Sequence, residues 1–266
     1  MTAAAGFFFA SQGNFDFRLL GALLVGIALI IACACVLNNY IDRDIDKKMA
    51  RTKTRALVTG EISVRAALIY AGLLGVVGFW VLAMYTNTIT VVIGAIGVFS
   101  YVVLYGYFKR RSVHGTLVGS ISGSTSLIAG YCAVTGHFNQ PALLLFIIMA
   151  IWQMPHFYAI GVYKHDDYKK AGLPILPVKK GIETAKKHIL AYIVLFTVIV
   201  SMLSVRGYAG YSYRVVMILI CILWLRLAVK GFKQKDNIKY GHQIFGFSLL
   251  TLLVFSLLIS VDHFIP

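Results

Sequence analysis

Between residues 38 and 57 the chain reads NNYIDRDIDKKMARTKTRAL, its densest set of groups able to do chemistry. Asn38, Asp42 and Asp46 stand four residues apart. On a continuous helix an amide and two carboxylates therefore share one face, while Asp44 points elsewhere. Carboxylates at the C-terminal end of a helix meet the negative end of its macrodipole, which costs up to about 1 kcal/mol unless a positive group compensates. A divalent cation answers that need. Mg2+ favours one or two carboxylates completed by phosphate oxygens and water, and Lys47, Lys48, Arg51, Lys53 and Arg55 follow at once to hold the phosphates. The same spacing is also compatible with a solvated, charge-balanced loop.

A second set lies in IWQMPHFYAIGVYKHDDYKKAGLPILPVKKG, residues 151–181. Pro155 interrupts an apolar segment, with Gln153 and His156 in the same turn. Polar groups at membrane depth are costly unless paired or facing a cavity, so this break is a site candidate. For His156 a ligand role and a hydrogen-bonded packing role both stay open. Asp166 and Asp167 follow where the segment turns polar. Lys109, Arg110 and Arg111 close another apolar segment and read either as anchors at the membrane surface or as diphosphate contacts facing the first loop.

The elements that must position these groups are membrane spans. At 59% hydrophobic and 13% charged residues, the 266-residue chain is too apolar for a soluble domain. Segments near 18–39, 64–85, 88–108, 114–135, 141–163, 187–205, 213–231 and 243–262 each supply the roughly 20 apolar residues of a crossing helix. None alternates as a β-barrel strand would. The fold class expected is all-α, a polytopic helical bundle forming one membrane domain over 1–266. Residues 3–10 are apolar but too short to cross, and read as the remnant of a ninth helix rather than a signal peptide. Residues 115–130, GTLVGSISGSTSLIAG, suit a packing helix at the bundle centre because small side chains let helices approach closely. The last three spans carry little polar material and read as bundle wall.

Lys and Arg are distributed unevenly. Stretches 40–65, 109–113, 164–187 and 230–242 hold 7, 3, 7 and 4 of them, whereas the opposite ends hold only Arg18, Arg206 and Arg214. The positive-inside rule places the first group, and with it both acidic clusters, on the cytoplasmic side. The net charge of +15 is thereby explained by the lipid bilayer, without nucleic acid. Cys33, Cys35, Cys132 and Cys221 all fall within spans and read as packing residues.

N-N-x-x-D-x-x-x-D followed by M-x-R-T-x-x-R-x-L, at 38–57, resembles the first aspartate-rich motif of the UbiA superfamily of intramembrane prenyltransferases. WQMPHFYA at 152–159, with DYxxAGxPxLPVxxG at 167–181, looks like its protohaem IX farnesyltransferase branch, and the resemblance runs over almost the whole chain. It implies nine helices around a cavity open to the membrane of a bacterial inner membrane. It also implies Mg2+-dependent ionisation of farnesyl diphosphate and attachment of the farnesyl group to a vinyl carbon of haem B, water supplying a new hydroxyl. Carried over by position, Asn38, Asp42 and Asp46 hold Mg2+ and diphosphate. Arg51, Arg55, Lys109 and Arg110 bind diphosphate oxygens, Asp167 belongs to the second motif, and His156 contacts the porphyrin or its iron. The chain departs from the pattern at Asn39, where many members have Asp, at Asp166-Asp167-Tyr168, which lacks a second aspartate four residues away, and in the first helix, which is short here. A prenyltransferase with a hydroxybenzoate or quinone-precursor acceptor is the neighbouring alternative. A transporter would instead place its charges near the midplane.

Overall fold

Among the described residues, 1–265 of a computed structural model, eight helices are long and apolar enough to cross a membrane. They are α2 (Phe17–Ile41), α3 (Val64–Tyr85), α4 (Thr88–Phe108), α5 (Gly115–Thr135), α6 (Gln140–Tyr163), α7 (Ile182–Val205), α8 (Tyr211–Lys230) and α9 (Asn237–Val261), preceded by the short apolar helix α1 (Thr2–Ser11). Each expected span is present within a few residues. Several begin at a side chain able to accept the orphan N–H groups of a first turn: Asp16 accepts from Arg18 and Leu19, and Ser63, Asn87, Asn139 and Asp236 cap α3, α4, α6 and α9. The apolar runs dictate length, and these caps dictate where each helix starts.

Burial identifies the centre of the bundle. In α5 and α6, 50% and 56% of the most apolar window is buried by protein, against 22% in α3. The small-residue helix expected at the centre is thus the one found there. Glycines let side chains approach it closely: Gly97 of α4 lies against Thr125 of α5, and Gly123 of α5 against Gln153 of α6.

The short helix α1 covers the half of the bundle opposite the aspartate-bearing loops, packed along α5. A Cβ on Gly6 would overlap the Leu127 carbonyl oxygen, and one on Gly130 would overlap the carbonyl oxygen of Ala3. The two backbones therefore touch, and Phe7 is completely buried between them. Val at Gly6 or Gly130 cannot be relieved by a rotamer change, because the obstacle is main chain. We expect either variant to lower stability by about 1–3 kcal/mol, read as an earlier thermal transition in detergent, whereas Val at the open Gly21 leaves it unchanged.

One local feature has no signature in residue types or spacing. Residues Ser100–Tyr105 of α4 are π-helical, which inserts extra chain into the last turns before Lys109. Tyr101 and Tyr105 stack there, centroids 5.7 Å apart at 18°.

Candidate active site

The continuous helix expected through Asn38, Asp42 and Asp46 is interrupted but not lost. α2 stops at Ile41; Asp42 takes φ −89°, ψ 3°, and a single turn, Arg43–Asp46, follows. The bonds Asp42 N–H to Asn38 O, 2.9 Å, and Asp46 N–H to Asp42 O, 2.8 Å, keep the four-residue spacing across the break. Asn38, Asp42 and Asp46 are all buried, at 9%, 9% and 4% exposure, and so are unlike a solvated loop. Asp44 points away, as the spacing predicts, and its side chain is largely exposed.

Each buried carboxylate meets a cation. Lys109 Nζ donates to Asp42 Oδ2 at 2.5 Å and to Asn38 Oδ1 at 2.6 Å, and sits 5.0 Å from the centroid of the Tyr105 ring. Burial pushes the Lys109 ammonium below its usual range, and its bond to Asp42 opposes that shift. Arg55 donates to Asp46 Oδ2 at 2.6 Å. Arg110 spans four acceptor atoms on three residues: both Asp44 oxygens at 2.9 and 3.0 Å, Asp42 Oδ1 at 3.3 Å and the Ile41 carbonyl oxygen at 2.5 Å. The fork to Asp44 raises the Arg110 pKa and lowers that of Asp44. Arg110 thus braces the end of α2 against α4. Arg51 is exposed; its positive charge acts on Tyr168, whose hydroxyl pKa is raised chiefly by burial.

The second acidic cluster joins the first through a main-chain bond, Ala50 N–H to Asp167 Oδ1, 3.3 Å. Beneath it Ile45 and Met49 pack with Ala171, Tyr168 and Leu173. The first loop thus shares a small apolar core with the second. Asp166 is exposed and bonds His165, which lowers its pKa.

Two cavities open under this charged layer. One, of about 270 Å³, is lined by Ile27, Ile30 and Ala34 of α2, Gly94 and Gly97 of α4, and Thr125 of α5. The other, of about 220 Å³, is lined by Tyr105, Gln153, Phe157, Tyr158 and Tyr168 among others. Tyr101, Ser122 and Gly123 line both. Two largely apolar cavities with shared walls thus lie beside the paired charges, the Tyr105 ring lining one of them with its centroid 5.0 Å from Lys109 Nζ.

The UbiA prenyltransferase family profile matches residues 1–259. The chain belongs to this family. Protoheme IX farnesyltransferase of Citrobacter koseri is 46% identical over 267 residues, covering 100% of this chain and 90% of its relative, and that of Shigella flexneri gives the same figures. Among solved structures, one described as a UbiA homolog from Archaeoglobus fulgidus bound to GPP and Mg2+ superposes with TM-score 0.74 at 19% identity, covering 98% of this chain and 94% of that one. A digeranylgeranylglyceryl phosphate synthase structure gives TM-score 0.80 at 19% identity, covering 98% and 91%. These structures share the UbiA fold.

Within that fold most residues singled out from sequence converge: Asn38, Asp42, Asp46, Arg55, Lys109 and Arg110 bond one another, and Asp167 is tied to the loop between them. His156 does not join them. Its ring stacks on Trp152 at 4.8 Å, leans on Phe245 at 4.9 Å and bonds Ser248 Oγ at 2.8 Å, in the seam between α6 and α9, and it lines neither cavity. Sequence reasoning missed the roles of Tyr101, Tyr105 and Tyr168 as cavity lining. The motif YVVLYGYFKRR offered a signal, aromatics immediately before the basic cluster, but not which rings turn inward, because the π-helical turn decides that.

Proposed function

We propose that this UbiA-family prenyltransferase moves the farnesyl group of farnesyl diphosphate, with addition of water, onto a vinyl carbon of haem B, giving haem O and diphosphate. The observation that carries the reading is the placing of buried carboxylates and cations beside two apolar cavities, in a chain 46% identical over its whole length to protoheme IX farnesyltransferases. Asn38, Asp42 and Asp46 offer only hard oxygen donors, which suits Mg2+ shared with phosphate oxygens. When bound, Mg2+ neutralises the charge that develops on the departing diphosphate.

This chain's own residues divide the remaining work. Lys109 and Arg55, now on Asp42 and Asp46, turn to diphosphate oxygens once metal occupies the carboxylates, and unpaired Arg51 closes over the same group. Arg110 and Asp167 hold the two loops at the register this requires, Arg110 offering a further donor to the diphosphate. An allylic cation survives only where water is scarce and π faces are near, and Tyr101 and Tyr105 supply those faces beside Lys109. His156, with Trp152 and Phe245, offers the porphyrin an aromatic approach along the α6–α9 seam. The unit is a single domain. The basic distribution supports the aspartate-bearing loops facing the cytoplasm of a bacterial inner membrane.

The test is an assay of membranes containing the chain with haem B, farnesyl diphosphate and Mg2+, the extracted haems being weighed by mass spectrometry. A haem heavier by farnesyl plus water, absent after EDTA, is the expected result. Transfer to an aromatic acid or quinone precursor instead would replace haem as the acceptor, and an EDTA-insensitive product would remove the metal.

A further inference from the structure

Gln153 lies mid-span in α6 and is 4% exposed, yet the charged layer makes no use of it. Its Nε2 lies 3.0 Å from the Ser120 carbonyl oxygen, 3.0 Å from the Met149 carbonyl oxygen and 3.3 Å from Ser124 Oγ, its two hydrogens shared among the three acceptors. Ser124 has already given its own proton to Ser120 O, at 2.8 Å. All three neighbours are acceptors, so the amide cannot be flipped: nitrogen must face them and Oε1 must face away. Oε1 comes to rest over Gly123, in space that any Cβ would fill, and Gly123 lines both cavities. Among the described residues no group donates to it. A fixed amide acceptor is thus held, without a donor, at the junction of the two chambers.

Neither proposed substrate can satisfy it. The farnesyl chain is hydrocarbon, ionised diphosphate only accepts, and haem has no pyrrole N–H and carries ionised propionates. Water is the one reactant with hydrogens to donate. We propose, building on the farnesyl-transfer reading, that Gln153 Oε1 holds the water that adds to the vinyl group. Ser122 supports the same orientation, since its hydroxyl donates to the Gly119 carbonyl oxygen at 2.8 Å and so has only lone pairs left to offer. A water bound by its hydrogens turns its own lone pairs outward as the nucleophile. The lining tyrosine hydroxyls can donate as well as accept, and so do not impose that orientation.

In the step itself the C1–oxygen bond of farnesyl diphosphate breaks and diphosphate leaves with the electron pair. The vinyl π pair forms the new carbon–carbon bond from its terminal carbon, which leaves the inner vinyl carbon cationic. The held water forms the carbon–oxygen bond there, and its surplus proton passes to the released diphosphate. Without held water the same cation sheds a proton instead, and the product is lighter by one water.

The experiment compares the full chain with Gln153→Leu and, separately, Gly123→Ala, whose new methyl would displace the amide oxygen while Gln153 remains. Haem B, farnesyl diphosphate and Mg2+ are supplied and the two adducts are weighed. The expected result is a ratio of hydrated to dehydrated farnesyl-haem at least about tenfold lower in both variants, since a misplaced reactant costs its own step and not the one before. A residue that merely packs α5 against α6 would slow total farnesylation and leave the ratio alone. An unchanged ratio, or loss of both adducts in both variants, therefore overturns the assignment. Failure of the unsubstituted chain to farnesylate haem at all would overturn the underlying reading, and is distinguishable because it needs no variant.

Discussion

Asp42→Asn is expected to reduce farnesyl transfer by about 10³-fold or more and, unlike its neighbour, to weaken the fold as well. The activity loss follows from the proposed role of the carboxylate in holding metal against diphosphate. The stability loss follows from the pairs it makes. Asp42 and Lys109 are both buried, at 9% and 8% exposure, and the carboxylate takes the ammonium at 2.5 Å. Removing one charge of a buried pair leaves the other without compensation, at a cost of about 3 kcal/mol. By spacing alone the two carboxylates are equivalent. The pairing separates them. Arg55, the partner of Asp46, has a side chain one-third exposed, and water can take over its charge. Thermal melts in detergent beside the assay check this: Asp46→Asn should lose turnover with a transition near that of the parent, and Asp42→Asn should lose both. Parent-like activity in either would strike that carboxylate from the metal set.

The second large effect is expected at Lys109, with opposite signs in two readouts. In this structure Lys109 stands on Asp42 and Asn38, where metal would bind, so a cation entering the site must displace it. Burial already disfavours its charged form, and the bond to Asp42 opposes that shift. Lys109→Met removes the competitor, and the Mg2+ concentration giving half-maximal rate should fall by about tenfold, the equivalent of 1.4 kcal/mol. It also removes a donor from the departing diphosphate, so kcat should fall by about 10²-fold. A Mg2+ titration of the variant reads both numbers from one curve. A raised Mg2+ requirement would mean that Lys109 helps to hold the metal site together rather than competing for it. Arg110→Lys tests a different idea in the same assay: its fork to Asp44 cannot be copied by an ammonium.

Much of this was legible in the chain because membranes impose strict rules. A helix must be about 20 apolar residues long, positive charge stays on one side, and polar side chains must bind something. Those rules located the spans, put both acidic clusters at one end and picked out 38–57 and 151–167. Four-residue spacing was enough to put Asn38, Asp42 and Asp46 on one face even though the helix breaks between them, because one turn resumes at once with a main-chain bond across the break.

Pairing was not legible, because it depends on atoms far apart in sequence. Lys109 is 71 residues from Asn38, and Ala50 is 117 from Asp167, and nothing in local spacing couples them. The π-helical turn at Ser100–Tyr105 decides which tyrosines line the cavities and where Lys109 arrives, through a change of helical phase with no residue signature. Gln153 and His156 are three residues apart, and the resemblance singled out His156. Only the packing of α5 and α9 against α6 turned the first toward the cavities and the second into a seam of aromatic rings. The sequence by itself determined which groups could do chemistry and at which membrane face they gather. Which of them meet, and which face the cavity, was decided by tertiary packing, because close helix contact over glycines fixes side-chain direction to within a single turn.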